Sequence, residues 1–506
     1  MSVAIEQSKL NTRSYNYPQI RNIFLITTHK CNLACRYCFV SQNPSEMPLE
    51  VALDAIDYLV ANNDLTTESG SVCFFGGEPL LRWDDLIVPT VLYKERVYPD
   101  LKLTFSITSN CSLLNDERIQ FIVDHNIGLL TSIDGAKETQ DYNRPFHNGK
   151  GSFDIVSKNI EKLIAKGRNG TFRSTIYPPT CGNVYENYLY AISLGYRNTF
   201  FINDSFCEWS DEDMAKCEEQ KMKIADHYIA HWKEHGEAPI GISAVDKYFG
   251  SIYEEREREA QGLPKINLFT NSKCGYGQSA GGAISTNGDI YGCQEMTSND
   301  PLFKIGSIYT GLDDNKRKEL ADIFDADPVK RGDIPCETCP ACSVCNGGCI
   351  ANNYMQTGKF NTCSHAYCES ERQTYRIACY IIDQLKDCEA FQQFASNKTR
   401  NGGSRAPKKN CGVCQNQNQT LNTTNTNNAN QQSDSMVPPH CGWCQECQTY
   451  LRFQNNENAT VTSSAPKTAT TATSYTTTNN PRIATPSNSN GCNCGNDKKC
   501  NGCGSN

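Results

Sequence analysis

Cys31, Cys35 and Cys38 stand as C-x3-C-x2-C in the stretch Cys31-Asn-Leu-Ala-Cys35-Arg-Tyr-Cys38, directly after an apolar, β-prone run from Ile23 to Thr28. Soft thiolates suit iron–sulfur clusters, and three of them on one short loop can hold three irons of a [4Fe–4S] cube. The fourth iron then has no protein ligand from this loop, and an open iron is a place to do chemistry. A zinc knuckle is the competing use of clustered cysteines, but zinc sites more often show paired C-x2-C units and four ligands.

Such a loop has to be held at the mouth of a fold. From about residue 22 to 206, strand-like runs (22–28, 70–75, 101–108, 128–133, 169–177 and 198–205) alternate with amphipathic stretches (48–62, 115–125, 153–166 and 184–194). Six βα units in series predict an α/β fold with a parallel sheet and outer helices. Curled round, they make a partial (β/α)6 barrel, whose active site sits at the C-terminal ends of the strands, where the cysteine loop follows the first strand. The charged stretch 210–236 reads as a last covering helix and 245–270 as a connection of mixed character, followed by a cysteine-rich region of little periodicity over 271–370. A helix is expected from Glu369 to about Gln393, where Tyr375, Ile377, Tyr380, Ile381 and Leu385 give a rough apolar face. Beyond about 396, Asn, Thr, Ser and Gln dominate, and such a segment buries too little surface to offset its ordering entropy. The expected divisions are an N-terminal extension (1–21), a barrel core (22–240), a cysteine-rich domain (241–395) and a disordered tail (396–506) carrying Cys411/Cys414, Cys441/Cys444/Cys447 and Cys492/Cys494/Cys500/Cys503.

Composition narrows the class. A chain of 506 residues gives a prior of about three domains, and a net charge of −8 offers no sign of a nucleic-acid or membrane-surface partner. No run of 18 apolar residues is present, and Met1 to Arg21 lacks the apolar core of a secretory signal, so a soluble cytoplasmic protein is expected. In that setting 28 cysteines read as metal or cluster ligands rather than as disulfides.

The triad, with Tyr37 just before its last cysteine, resembles the cluster motif of the radical S-adenosylmethionine enzymes. Gly76-Gly77-Glu78-Pro79 at the end of the second predicted strand is a second match. Thr108-Ser109-Asn110, Ser132-Ile133-Asp134-Gly135 and Asn143-Arg144-Pro145 agree in register. Taken alone, each of these is more simply a turn or a capping group. The resemblance implies that the open iron chelates S-adenosyl-L-methionine and that an electron from the cluster cleaves it to a 5′-deoxyadenosyl radical, which takes hydrogen from substrate. It also implies that Tyr37, Gly76, Gly77, Glu78, Asn110, Ser132 and Arg144 lie against that cofactor.

The later cysteines resemble the auxiliary-cluster extension called SPASM: Cys274, then Gly288 to Cys293, then Cys336, Cys339, Cys345 and Cys349, then Cys368. The resemblance implies two auxiliary [4Fe–4S] clusters. Cys274, Cys293 and Cys349 would hold the first; Cys336, Cys339, Cys345 and a late cysteine, Cys368 in preference to Cys363, would hold the second. Cys342 is an extra. The segment after Cys274, Gly-Tyr-Gly-Gln-Ser-Ala, has no cysteine, which leaves the first auxiliary cluster with three protein ligands and an iron that could bind a substrate thiolate. A zinc-stabilised domain is the competing use of these cysteines.

Enzymes of this group mostly modify peptides and proteins. The sulfatase-maturating members, which oxidise a Cys or Ser to formylglycine, have an aspartate after the G-x4-C cysteine; here that residue is Gln294, a neutral amide that cannot act as a base. The expected function is therefore thioether formation between a Cys sulfur and a carbon in a cysteine-rich precursor peptide, with electrons from a donor such as flavodoxin or ferredoxin. Only about 20 residues precede the first strand, below the ~50 of an independent domain, so leader binding falls to the barrel, the cysteine-rich region, the tail or a separate leader-binding protein. The tail resembles a cysteine-repeat precursor and is itself a possible substrate in cis. Formylglycine generation and a non-enzymatic iron–sulfur or zinc protein are the alternatives. Reduced, cluster-loaded protein is expected to release 5′-deoxyadenosine from S-adenosylmethionine, read by liquid chromatography; none released would favour the non-enzymatic alternative.

Overall fold

Period-two apolar runs and helical stripes alternate along the chain, and each strand is followed by a helix that covers it. The computed structural model describes residues 17–265, 275–297, 301–325 and 332–398. Cys274 and the tail cysteines lie outside the described residues, as do most of the expected N-terminal extension and tail. The strands are β1 (Asn22–Thr28), β2 (Gly70–Gly76), β3 (Leu103–Ser109), β4 (Gly128–Ser132), β5 (Thr171–Ile176), β6 (Asn198–Asn203), β7 (Gly241–Ile242), β8 (Gly281–Ile284), β9 (Asp289–Tyr291), β10 (Lys304–Ser307) and β11 (Gly311–Leu312). The helices are α1 (Leu49–Asn62), α2 (Val88–Val97), α3 (Asp116–Asp124), α4 (Lys137–Asn143), α5 (Phe153–Ala165), α6 (Val184–Leu194), α7 (Asp211–His235), α8 (Ser243–Ala260), α9 (Asp314–Asp325), α10 (Ile350–Thr357), α11 (His365–Gln384) and α12 (Glu389–Ser396).

The strands form one sheet in the order β11-β10-β9-β8-β1-β2-β3-β4-β5-β6-β7. From β1 to β7 every pairing is parallel, with Ile23 beside Val72, Val72 beside Phe105, Ile107 beside Leu129, and Phe172 beside Thr131 and Thr199. Parallel pairing brings all the C-terminal strand ends to one rim, which is the α/β arrangement expected. The cysteine-rich part joins the same sheet: β8 pairs parallel with β1, and β9 to β11 continue antiparallel.

Two local expectations need correction. Residues 245–270, read as a mixed connection, contain the long helix α8; Val245, Tyr248, Phe249 and Ile252 make a buried stripe at helical spacing that the Glu/Arg run after Tyr253 obscures. The single helix expected from Glu369 to Gln393 is two, α11 and α12, with a break at Leu385–Cys388. The first of them starts earlier, at His365, because the Ser364 hydroxyl accepts the Tyr367 N–H and caps it.

The C-terminal helices pack on the outside of the core. Gln373 donates to Met214 O (3.0 Å), Arg376 to Glu218 (2.8 Å) and Arg256 to Asp383 (2.7 Å), tying α11 to α7 and α8. Phe391 on α12 is fully buried, edge-on to Trp232 (5.4 Å between centroids) and Phe249 (5.2 Å). Among the described residues no helix is long and apolar enough to cross a membrane. Removing the buried ring in Phe391→Ala should cost about 3–5 kcal/mol, seen as a lowered urea midpoint in the anaerobic protein.

Candidate active site

The cysteine loop leaves β1 and is clamped on two sides. On one side the Gly77 N–H donates to Thr28 O (2.8 Å) and the Glu78 N–H to Lys30 O (2.9 Å). Gly76 has φ +132, and a Cβ there would stand 2.2 Å from Thr28 O; one at Gly77 would stand 2.1 Å from Lys30 O. Only glycine permits this approach. The two glycines thus approach the backbone entering the cysteine loop. On the other side Leu33 bridges Phe146, Ala34 N–H donates to Pro145 O (2.8 Å) and Arg36 N–H to Asn143 O (3.0 Å). His147 Nε2 lies 2.9 Å from Cys31 O, and the Arg36 guanidinium sits 4.4 Å over the Tyr142 ring.

Within this clamp the three sulfurs share one environment. Burial pushes the Cys31 thiol far up and the Cys35 thiol up to about 12, raises Cys38 as well, and charge repulsion between the cysteines adds to it. Arg144 pulls Cys35 partly back. Three such groups are costly as bare thiolates, and a positively charged iron core removes that cost. Three soft thiol donors on one short loop are the set that an iron–sulfur cluster takes. The donor set therefore fits a cluster.

Two buried carboxylates brace the rim. Glu78 accepts from Leu80 N–H (3.0 Å), Ser109 Oγ–H (2.8 Å) and Asn110 N–H (2.8 Å), so its oxygens join the ends of β2 and β3. Burial lifts its carboxyl to about 6 even though these donors pull the other way. The Asn110 amide donates to Asn32 Oδ1 (2.9 Å) and lies 3.9 Å from Cys31 Sγ. Asp134, fully buried, accepts from Arg144 Nη2 (3.0 Å), Asn143 Nδ2 (3.0 Å), Thr175 N–H (2.9 Å) and the Tyr37 hydroxyl. Arg144 also lies 5.4 Å over the Tyr37 ring, and its buried Nε has no partner among the described residues. Ser132 stands half-buried at the end of β4, two residues from Asp134. The structure thus gathers Tyr37, Gly76, Gly77, Glu78, Asn110, Ser132 and Arg144 at one rim. Asp134, which sequence reasoning passed over, ties that rim together; its signal was its place in Ser132-Ile133-Asp134-Gly135.

The later cysteines form two groups. In the first, Glu295 N–H lies 3.5 Å from Cys293 Sγ, and Cys349 Sγ lies 3.3 Å from Glu295 Oε2. In the second, Cys336, Cys339, Cys342, Cys345, Cys363 and Cys368 line one small cavity. The spacing argument named four of these six; Cys342 and Cys363 face the same space.

Residues 25–181 match the family model of the radical SAM superfamily. The chain is similar to a serine-type anaerobic sulfatase-maturating enzyme of Bacteroides thetaiotaomicron, 24% identical over 72% of this chain and 91% of the relative. It is also similar to a cysteine-type anaerobic sulfatase-maturating enzyme of Clostridium novyi, 23% identical over 72% of this chain and 96% of the relative. Among solved structures it shares its fold with anSMEcpe with bound AdoMet (TM-score 0.58, 18% identity, 75% of this chain and 99% of that one).

Replacing Asp134 with Ala leaves Arg144 buried and unpaired. The change should cost about 3–5 kcal/mol, measured by denaturant unfolding, and should lower iron retention at the triad after gel filtration.

Proposed function

We propose that this enzyme, which carries a radical SAM domain over residues 25–181, takes hydrogen from a cysteine-containing peptide and joins a cysteine sulfur to carbon. Cys31, Cys35 and Cys38 would hold the catalytic [4Fe–4S] cluster. When bound, cluster and S-adenosylmethionine supply an electron and a 5′-deoxyadenosyl radical able to take a hydrogen atom. The Asp134–Arg144 pair and Glu78 keep the rim fixed beneath that chemistry. The unpartnered Arg144 Nε leaves one donor for an anionic group at the same rim. In the net change a C–H and an S–H bond give way to a C–S bond, and the peptide loses one hydrogen atom, one proton and one electron. Cys274, Cys293 and Cys349, with Cys336, Cys339, Cys345 and Cys368, would hold two auxiliary clusters that supply an acceptor for that electron.

Gln294 carries the choice of product. Its amide oxygen lies 3.4 Å from Cys293 Sγ, where a proton-accepting aspartate would suit formylglycine formation. An amide cannot take that proton. A second reading, formylglycine generation, is favoured by the similarity to sulfatase-maturating enzymes over 91% and 96% of their lengths.

Mass spectrometry with thiol alkylation separates the two. Incubated anaerobically with S-adenosylmethionine, reductant and a cysteine-rich peptide, the enzyme should remove one H2 per link and consume one alkylatable thiol, with sulfur retained. An aldehyde that reacts with hydrazide, with cysteine sulfur lost, would establish the second reading instead.

A further inference from the structure

Helix α8 carries one residue that its packing does not ask for. Its buried stripe runs through Val245, Tyr248, Phe249 and Ile252, and the next position at helical spacing holds Glu255, only 4% exposed, where an apolar side chain belongs. A buried carboxylate is costly unless it is paired and hydrogen-bonded. Ser343 Oγ–H donates to its Oε2 (2.7 Å), the Tyr375 hydroxyl donates to the same oxygen (3.1 Å), and Lys265 Nζ lies 3.2 Å from Oε1. Ser343 ends the short turn Pro340–Ser343, between Cys342 and Cys345, and Tyr375 stands two helical turns after Cys368 on α11. One carboxylate thus reaches both stretches of chain that bring cysteines to the second cavity. Burial raises the Cys342 thiol, Glu255 adds to that through charge, and Lys265 opposes it. The lysine side chain is largely exposed, so water screens it and the compensation is partial.

We propose that Glu255 is a positioning residue for the second auxiliary cluster: it fixes the loop 336–345 against α11 and, through its charge, holds that cluster's reduction potential low. This rests on the reading that the cysteines of this cavity hold a cluster. A negative charge beside a cluster disfavours the added electron, and net charge and hydrogen bonding around the sulfurs set such potentials. An amide of the same length would still accept from Ser343 and Tyr375, so the hydrogen bonds alone do not call for a carboxylate.

The test uses the full chain, reconstituted anaerobically with iron and sulfide. Iron is counted per chain, and midpoints are read by redox titration followed by electron paramagnetic resonance. Cys339→Ser identifies the signal of the second group by removing it. Glu255→Gln should keep the iron count and move that midpoint upward, with the other midpoints in place. Lys265→Met, at an exposed site, should move the same midpoint downward. Ser343→Ala, which cuts only the tether, should release that cluster's iron to a chelator several-fold faster. Should Glu255→Gln fail to load, the downward shift in Lys265→Met supports the proposal and an unmoved midpoint there overturns it. An unmoved midpoint in a fully loaded Glu255→Gln, or unchanged iron release in Ser343→Ala, overturns the proposal and leaves the cluster reading standing. If Cys339→Ser loses neither iron nor signal, the cluster reading itself fails, and the proposal with it.

Discussion

The Asp134 carboxylate is the joint on which the rim around the cysteine loop depends. It sits at the end of β4, fully buried, and each oxygen takes two donors: Arg144 and Thr175 N–H on one, Asn143 and Tyr37 on the other. Burying a charge costs several kcal/mol unless its partner and its remaining lone pairs are satisfied. Here all of those conditions are met, by residues from three stretches of chain. Tyr37 belongs to the cysteine loop, Asn143 and Arg144 to the segment after β4, and Thr175 to β5. Displacing the loop would therefore strip the Tyr37 hydrogen bond from a buried carboxylate, which ties the position of the sulfurs to strand packing.

Glu78 does the same on the other flank, where Arg118 acts on it through charge. Three hydrogen bonds from β3 and the turn after β2 compensate its desolvation only in part, since burial still lifts its carboxyl to about 6. The glycines beside it add a steric lock, because any side chain there would collide with Thr28 or Lys30 O. One carboxylate joins β2 to β3 and the other joins β4 to β5, with the loop between them. Sites held by strand ends in this way are more accurately placed than sites left to free loops.

Much of this was legible in the sequence, and the misses have physical causes. The six core strands lie within two residues of the expected runs at each end, because apolar alternation and the parallel register report the same buried faces. The triad and the Gly-Gly-Glu-Pro turn were visible because a local loop must carry its chemistry at short spacing. Helix α8 was missed because its apolar stripe is narrow and followed by charge. Asp134 was missed because a buried hub is defined by donors from elsewhere, Thr175 lying 41 residues away. The contact between Glu295 and Cys349 was out of view for the same reason: the two lie 54 residues apart, and no window of sequence holds both.

Six cysteines around one cavity pose a selection problem that spacing cannot solve but hydrogen bonding narrows. A cluster ligand must be a thiolate, so a sulfur whose proton is engaged elsewhere is the weaker candidate. Cys363 Sγ lies 2.9 Å from Gly347 O, a carbonyl that can only accept, so its one proton is committed there. Cys368 lies below the usual thiol range, lowered by its contact with Cys363 and by Arg372. Its sulfur also stands beside Cys336, both within 4 Å of where a Gly332 Cβ would be, 3.1 and 3.9 Å respectively. Hydrogen bonding thus distinguishes two cysteines only five residues apart, since the Cys363 thiol is engaged by a backbone carbonyl within the cavity that both line.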